Sequence, residues 1–382
     1  MRQRFIQSFP TSEDIQSALD NKELGKPYVA LSREEPSIDW NSKEIDYTGM
    51  PLTFEIISGG TIGLMGVYNT ETNYEYQING GEIVTGQAAG NAYTNISLNA
   101  GDVIKIRGFK NTQNGGLSVK PDADLVFNIY GNVASLGSVF VNLGLAGKHV
   151  INAENLVMLD PDFSCYHLFS GCTDLISPPK TVIGRDCRQM FYKCTSLTKA
   201  PELPATALSE SCYSEMFYDC TSLATPPKLP ATTLAPSCYN SMFLGCTSLT
   251  KAPELPATKL ASSCYAYMFL GCTSLTKAPE LPATTLANNC YNYMFNGCTS
   301  LEQAPELPAT ILTEYCYRGM FSGCTSLNYI KCLATDMSAN SCTFLWTDSL
   351  ASGGTFIKHP DATWTTGSSG IPAGWTVEDA EI

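Results

Sequence analysis

Between Met50 and about Gly131 short apolar runs alternate with turn residues. The runs LTFEII, TIGLMGVY, YEYQI, GEIVTG, NISL, DVIKIRGF and LVFNIY are broken by clusters of Gly, Asn and Asp. Turn signals roughly every 8–12 residues, with alternating patterning between them, are what a small all-β sandwich requires. An Ig-like antiparallel β-sandwich is therefore predicted over 48–131. Ahead of it, Thr11 or Ser12 caps a short predicted helix through about Asp20, with Glu13 and Asp14 in its first turn. The extended segments YVALS and IDW then flank the turn Arg33-Glu34-Glu35-Pro36, so residues 1–47 read as an adaptor segment.

From Cys165 onward alternation gives way to repetition. Coils such as CYNSMFLGCTSLTKAPELPATKLASS and CYAYMFLGCTSLTKAPELPATTLANN follow one another, led by Cys165, Cys187, Cys212, Cys238, Cys264, Cys290, Cys316 and Cys342. The period settles at 26 residues. A fixed period in the twenties means coils that each bury the apolar face of the one before. With the leading cysteine as position 1 in the 26-residue copies, positions 1, 5, 6, 9, 12, 18 and 23 are held as Cys, Met, Phe, Cys, Leu, Leu and Leu in copies two to five, while 3, 4, 7, 13, 14, 22, 25 and 26 vary. Held positions are expected inside, varying ones outside. Tyr213, Tyr239, Tyr265, Tyr291 and Tyr317 at position 2 are expected to form a half-buried ladder.

The coil Phe243-Leu-Gly-Cys246-Thr-Ser-Leu249, followed by Ala252-Pro253-Glu254-Leu255-Pro256, resembles the leucine-rich repeats of the bacterial surface-antigen (BspA-like) class, with its F-x-x-C-x-x-L signature. The resemblance covers about 155 to 350, and the sandwich ahead and the Trp-rich tail look like the accompanying parts of such proteins from gut anaerobes. It implies a leucine-rich-repeat solenoid over 132–350 and an adhesive role toward host-matrix protein, glycoprotein or another cell. The two prolines of A-P-E-L-P depart from the family's regular strand, since proline cannot donate to a ladder. Each coil is thus expected to hold a strand of about three residues ending near Ala252, with coils about 4.8 Å apart. Residues 351–382 are expected to cap the stack, with Trp346 in the Met slot and Trp364 and Trp375 on a Gly-rich hairpin. The expected fold class is α+β to mostly β: a small antiparallel sandwich, a leucine-rich-repeat solenoid and a β-rich cap.

Charge narrows the partners. The 36 acids outweigh 23 bases for a net charge of −13, which repels phosphate backbones and anionic headgroups. No nucleic-acid partner is expected, and no membrane insertion, since no run approaches 18 apolar residues. A protein or glycan ligand is expected; oligomeric state is not legible. The opening MRQRFIQSFPTSEDIQSALD shows no apolar h-region, so a cell-surface or extracellular place is expected from the resemblance and a virion-associated one is the alternative.

Chemistry is sparse. Only His149, His167 and His359 occur, too few and too scattered for HExxH or Ser–His–Asp arrangements. The S-x-x-K matches Ser196–Lys199, Ser248–Lys251 and Ser274–Lys277 recur with the period and lack S-D-N or K-T-G partners, so they are by-products of the repeat. All 16 cysteines fall between Cys165 and Cys342 with gaps of seven or eight and no CxxC, against zinc. They are expected to be reduced core thiols, with Cys332, outside the register, the exposed or special one. Asp160-Pro161-Asp162 reads as a turn leading into the repeats rather than a calcium site. No enzyme, metal or cofactor is expected.

Two surfaces remain as binding candidates. One is the strip in which Tyr192, Tyr218, Leu244 and Leu270 follow the conserved Phe, with Tyr267 and Tyr293 sharing position 4. The other is the pair of rows formed by Lys199/Glu202, Lys251/Glu254, Lys277/Glu280 and Gln303/Glu306, whose plainer reading is a self-paired solubilising face. The leading functional expectation is a non-catalytic binding or adhesion protein; the alternative is a structural component of a phage tail or fibre-like particle.

Overall fold

The computed structural model describes residues 51–66, 72–90, 92–109, 117–132, 140–157, 164–184 and 186–381. The predicted helix near residues 11–20, the adaptor 1–47 and the Asp160–Asp162 turn lie outside them. The chain forms two compact units that divide near Asp160, with Ile176–Lys180 belonging to the first.

In the first unit the turn residues punctuate strands as their spacing requires. β1 (Leu52–Ser58), β2 (Gly60–Gly66), β3 (Thr72–Ile78), β4 (Val84–Ala88), β5 (Thr94–Leu98), β6 (Val103–Phe109), β7 (Leu117–Pro121) and β8 (Val126–Asn132) are followed by β9 (Phe140–Leu143), β10 (His149–Asn152) and β11 (Leu156–Val157). One sheet runs β10-β8-β1-β6-β3-β4, with β11 also on β8; the other runs β5-β2-β7-β9. Phe54, Ile104, Ile106, Phe127 and Ile129 of the first sheet and Ile62, Leu64, Leu117 and Val119 of the second are buried. A single residue, Gly59, carries the chain from β1 into β2. A Cβ there would lie 2.9 Å from the Leu98 carbonyl oxygen, so the crossing between sheets needs glycine. Strands β9, β10 and β11 pair parallel to β7 and β8, so the unit is not purely antiparallel and its sheets run on beyond residue 131.

The second unit corrects the expected fold class. No helix occurs among the described residues, which are all strand, bridge, turn and irregular chain, and the α component is therefore overturned. Among the described residues no leucine-rich-repeat solenoid forms either. Where that fold would carry a sheet through its coils, single bridges such as Lys199↔Thr225, Lys251↔Lys277 and Gln303↔Tyr329 join neighbours. In the 26-residue copies these bridges sit at position 14, and the prolines at positions 16 and 19 remove ladder donors just after each of them, shortening even the predicted three-residue strand to one residue.

What joins the coils is a run of fused turns. In Cys212–Cys220 the N–H groups of Ser214, Met216, Tyr218 and Cys220 donate to carbonyls three residues back, at Ser211, Tyr213, Glu215 and Phe217. The intervening N–H groups of Tyr213, Glu215, Phe217 and Asp219 donate to Cys238, Asn240, Met242 and Leu244 of the next coil. Every fourth residue turns left-handed: Ser211, Glu215 and Asp219 here, Ser237, Ser241 and Gly245 in the next coil. A helix needs negative φ throughout and bonds four residues back, so this segment cannot be one. Backbone demand also explains the sequence, because position 8 is glycine in the coils of Gly245, Gly271, Gly297 and Gly323.

Inside, side chains repeat one above another. Phe169, Phe191, Phe217, Phe243, Phe269, Phe295 and Phe321 stack nearly parallel at 5.5–5.9 Å between centroids. The tyrosines of position 2 form a second column, Tyr239 and Tyr265 for instance 5.7 Å apart. They are buried at 1–2% exposure, deeper than the half-buried ladder expected. All sixteen cysteines are buried and none is disulfide-bonded. Cys332 is among them at 0% exposure, contrary to expectation, because the alternation of its strand turns Ile330 and Cys332 inward together. The second cysteine of each coil has a specific task. Cys246 Sγ donates to the Phe217 carbonyl at 3.1 Å and Cys272 Sγ to Phe243 at 3.1 Å. Each of those carbonyls already accepts a backbone N–H, from Cys220 and Cys246 respectively, so the thiol uses its second lone pair. A small, weakly polar donor suits that place.

Truncating Phe269→Ala opens the column between Phe243 and Phe295, each 5.6 Å away. The expected loss is ~3–5 kcal/mol of stability, measured by urea unfolding.

At the C-terminal end β12 (Tyr329–Cys332), β13 (Thr355–Lys358) and β14 (Thr376–Asp379) form a parallel three-stranded sheet, with Ile330, Phe356 and Val377 in one row. The expected tryptophan hairpin is thus replaced by a parallel arrangement. Trp346 does stand in the Met slot, 6.1 Å from both Tyr317 and Phe321 and 5.3 Å from Trp364, and its Nε1–H donates to the Gly370 carbonyl. It ends the Tyr and Phe columns with one larger ring.

Candidate functional site

The side of the coils that carries positions 3, 4 and 7 is built by the fused turns, because position 4 is left-handed and the next three residues close a turn. Leu270 N–H, for example, donates to the Tyr267 carbonyl at 3.2 Å. Tyr218, Leu244 and Leu270 are half-buried here in successive coils, and Tyr192 and Tyr218 stack at 4.8 Å. Burial and the neighbouring Asp219 carboxylate raise the Tyr218 phenol above its ordinary range, so it stays protonated and can donate. Tyr267 and Tyr293 stack at 5.5 Å with their rings 5° from parallel.

Three further residues complete this face, and variation at their positions in the sequence concealed them. Arg318 places its guanidinium carbon 5.7 Å from the Tyr293 ring, 5.4 Å from Tyr315 and 5.6 Å from Phe344. Phe344 is 44% exposed. The register could have found the group, since position 3 of one coil stands beside position 4 of the coil before. Gly319 gives the Tyr293 ring its seat: any Cβ at that residue would run into the ring.

These aromatics occupy unfavourable backbone. Tyr267, Tyr293 and Tyr315 have φ of 58°, 52° and 56°, in slots that other coils fill with Ser241, Gly319, Ser263 or Asn289, and also with Gln189, Glu215 and Leu345. A left-handed conformation costs a bulky residue roughly 1–2 kcal/mol, and such strain concentrates at functional sites.

The charged rows behave differently. Lys251, Glu254, Lys277 and Glu280 are all exposed, and the bridge between Lys251 and Lys277 sets like charges in one row. Among the described residues none of these four forms an ion pair; the pairing occurs at the end, between Lys331 and Glu306 at 2.9 Å. Self-pairing of this face is thus seen at Glu306, whereas Lys251, Glu254, Lys277 and Glu280 form no ion pair among the described residues. Among the described residues no three His, Cys, Asp or Glu side chains gather to hold a metal, and no helix is long and apolar enough to cross a membrane.

No protein-family model matches the chain, and no curated protein matches it. The resemblance to BspA-like repeats rests on the motif within the coils.

Proposed function

We propose that the chain is a non-catalytic binding protein whose coils meet a macromolecular partner along Tyr218, Leu244 and Leu270 and the adjoining Tyr267–Tyr293 stack. The observation that carries this reading is a line of half-buried Tyr and Leu side chains in successive coils, on a molecule whose other exposed coil positions are mostly Thr, Ser, Pro, Lys and Glu, with Tyr166, Ile311 and Phe344 the large apolar exceptions. Aromatic and aliphatic groups left at the surface in a row mark contact sites, and Tyr supplies large area at small entropic cost. A protein partner suits it better than a sugar. Sugars lie on ring faces, whereas the inner faces of Tyr267 and Tyr293 are turned to each other, leaving mostly edges and hydroxyls. The BspA-like resemblance adds host-matrix protein or another cell's surface as the setting.

The test is retention of the purified chain on immobilised collagen, fibronectin, laminin and mucin. The triple variant Tyr218→Ser/Leu244→Ser/Leu270→Ser is expected to bind at least tenfold more weakly than the parent. Lys251→Ala/Lys277→Ala is expected to stay within about twofold, since exposed charges contribute little individually. No retention of the parent on any surface, or loss in the lysine variant instead, would overturn the reading.

A further inference from the structure

We propose that Arg318 anchors this face by taking a carboxylate from an Asp or Glu side chain of a protein partner; the inference rests on the binding face described above and names its chemistry. Arg318 is the cation in a group of three rings, Tyr293, Tyr315 and Phe344. No carboxylate pairs with it among the described residues. The nearest in sequence, Glu314, accepts instead from Asn340 Nδ2 at 3.0 Å, and that same amide donates to the Tyr315 hydroxyl at 3.1 Å. Asn340 thus holds one wall of the group while keeping the acid occupied.

The guanidinium is fixed on one side and open on the other. Its Nε is shut off from solvent and has no acceptor. Among the described residues the terminal nitrogens have no acceptor either, and they are not enclosed, so a forked pair of donors is left open beside the aromatic seat. Arg held by Tyr and Phe is the composition of an interface hot spot, and a planar fork matches a carboxylate with two parallel hydrogen bonds. A partner acid arriving there meets donors that are already oriented and partly stripped of water. The chain's net charge of −13 repels a densely sulfated polyanion but opposes a single carboxylate on an otherwise uncharged patch far less. The partner favoured is therefore a protein segment with one acid flanked by apolar residues that lie along Tyr267 and Leu270.

The experiment pans a phage-displayed library of random dodecapeptides on the full chain, then measures synthetic copies of the enriched peptides by calorimetry. Enriched peptides are expected to share an Asp or Glu, and replacing it by Asn or Gln is expected to weaken binding at least tenfold. Arg318→Gln should lose the same factor and show no further sensitivity to the acid. Arg318→Lys keeps the stem and charge without the fork, and is expected to bind several-fold more weakly while unfolding at the parent's temperature. Enriched peptides that need Leu270 but no acid, or that bind Arg318→Gln equally, overturn the Arg318 role and leave the binding face standing. No enrichment at all overturns both. Heparin fragments that bind more tightly than any peptide, and through Arg318, overturn the protein-partner assignment in favour of a sulfated glycan.

Discussion

Stability of the coils is expected to fall steeply as pH rises from about 9 toward about 12. Burial pushes the thiols of Cys238, Cys264, Cys316, Cys324 and Cys332 up to about 12 from an ordinary 9.0. Below pH 9 folded and unfolded chains both keep these protons, and stability is insensitive to them. Between the two values only the unfolded chain has lost them, so it binds fewer protons and unfolding becomes easier with rising pH. At full difference each thiol contributes ~1.4 kcal/mol per pH unit. Five acting together approach ~7 kcal/mol per unit, against a total stability of about 5–15 kcal/mol for an ordinary domain. The tyrosines of position 2 shift in the same direction through burial, Tyr291 and Tyr317 included, and steepen the loss. Urea unfolding followed by tryptophan fluorescence, in reductant, should give a constant midpoint from pH 6 to 8.5 and a collapse before pH 11. Unfolding at pH 10 should release several protons and at pH 7 none. An unchanged midpoint at pH 10.5 would mean that the thiols are hydrated in the folded chain.

That sensitivity follows from a core in which sixteen buried cysteines stand among the packed side chains. The period of the cysteines was enough to place the held Met, Phe and Leu inside, because each must meet its own copy one coil away. Position 23 departs in part: Leu208, Leu234 and Leu260 are only half-buried, Leu286 and Leu312 fully so. Periodicity says nothing about backbone, however. The alternation of self-bonding and coil-to-coil N–H groups across Cys212–Cys220 has no hydrophobic signature, and its trace in sequence is glycine at position 8 in four coils and Ser or Asn at most position-26 slots. Those residues read as ordinary turn formers until the left-handed angles of Ser211, Glu215 and Asp219 are seen together.

The candidate site was legible in the same uneven way. Comparing copies separated Tyr218, Leu244, Leu270, Tyr267 and Tyr293 from the core because they vary while their neighbours do not. The comparison could not weigh Arg318, which appears once and resembles any solvated charge. Its meaning depends on a ring 25 residues earlier and another 26 residues later in the chain, brought beside it by stacking alone. The neighbours within the charged rows were hidden for the complementary reason: Lys251 and Glu254 look paired along the chain, but stacking sets Lys251 beside Lys277.

Stacking also predicts which deletions the chain tolerates. Removing Cys264–Asn289 excises one coil and is expected to leave a folded protein with a single unfolding transition. The N–H groups of Tyr239, Ser241, Phe243 and Gly245, which donate to Cys264, Ala266, Met268 and Leu270, would then meet Cys290, Asn292, Met294 and Asn296 in the same geometry. Phe243 would likewise stack on Phe295 in place of Phe269. Since coils contact chiefly their neighbours, the cost is one coil's share of stability, and the urea m-value should fall only slightly with the smaller buried area. Removing half a coil, Cys264–Thr276, sets Lys277-Ala278-Pro279 against Cys238 instead. Four buried donors lose their acceptors, at on the order of 1–3 kcal/mol each, and the Phe, Tyr and Cys columns are cut at once. This variant is expected to show no cooperative transition and poorly dispersed amide resonances. Equal behaviour of the two deletions, whether both fold or both fail, would refute stacking by register, because the shorter deletion removes less chain and can be worse only if position within the coil decides which atoms meet.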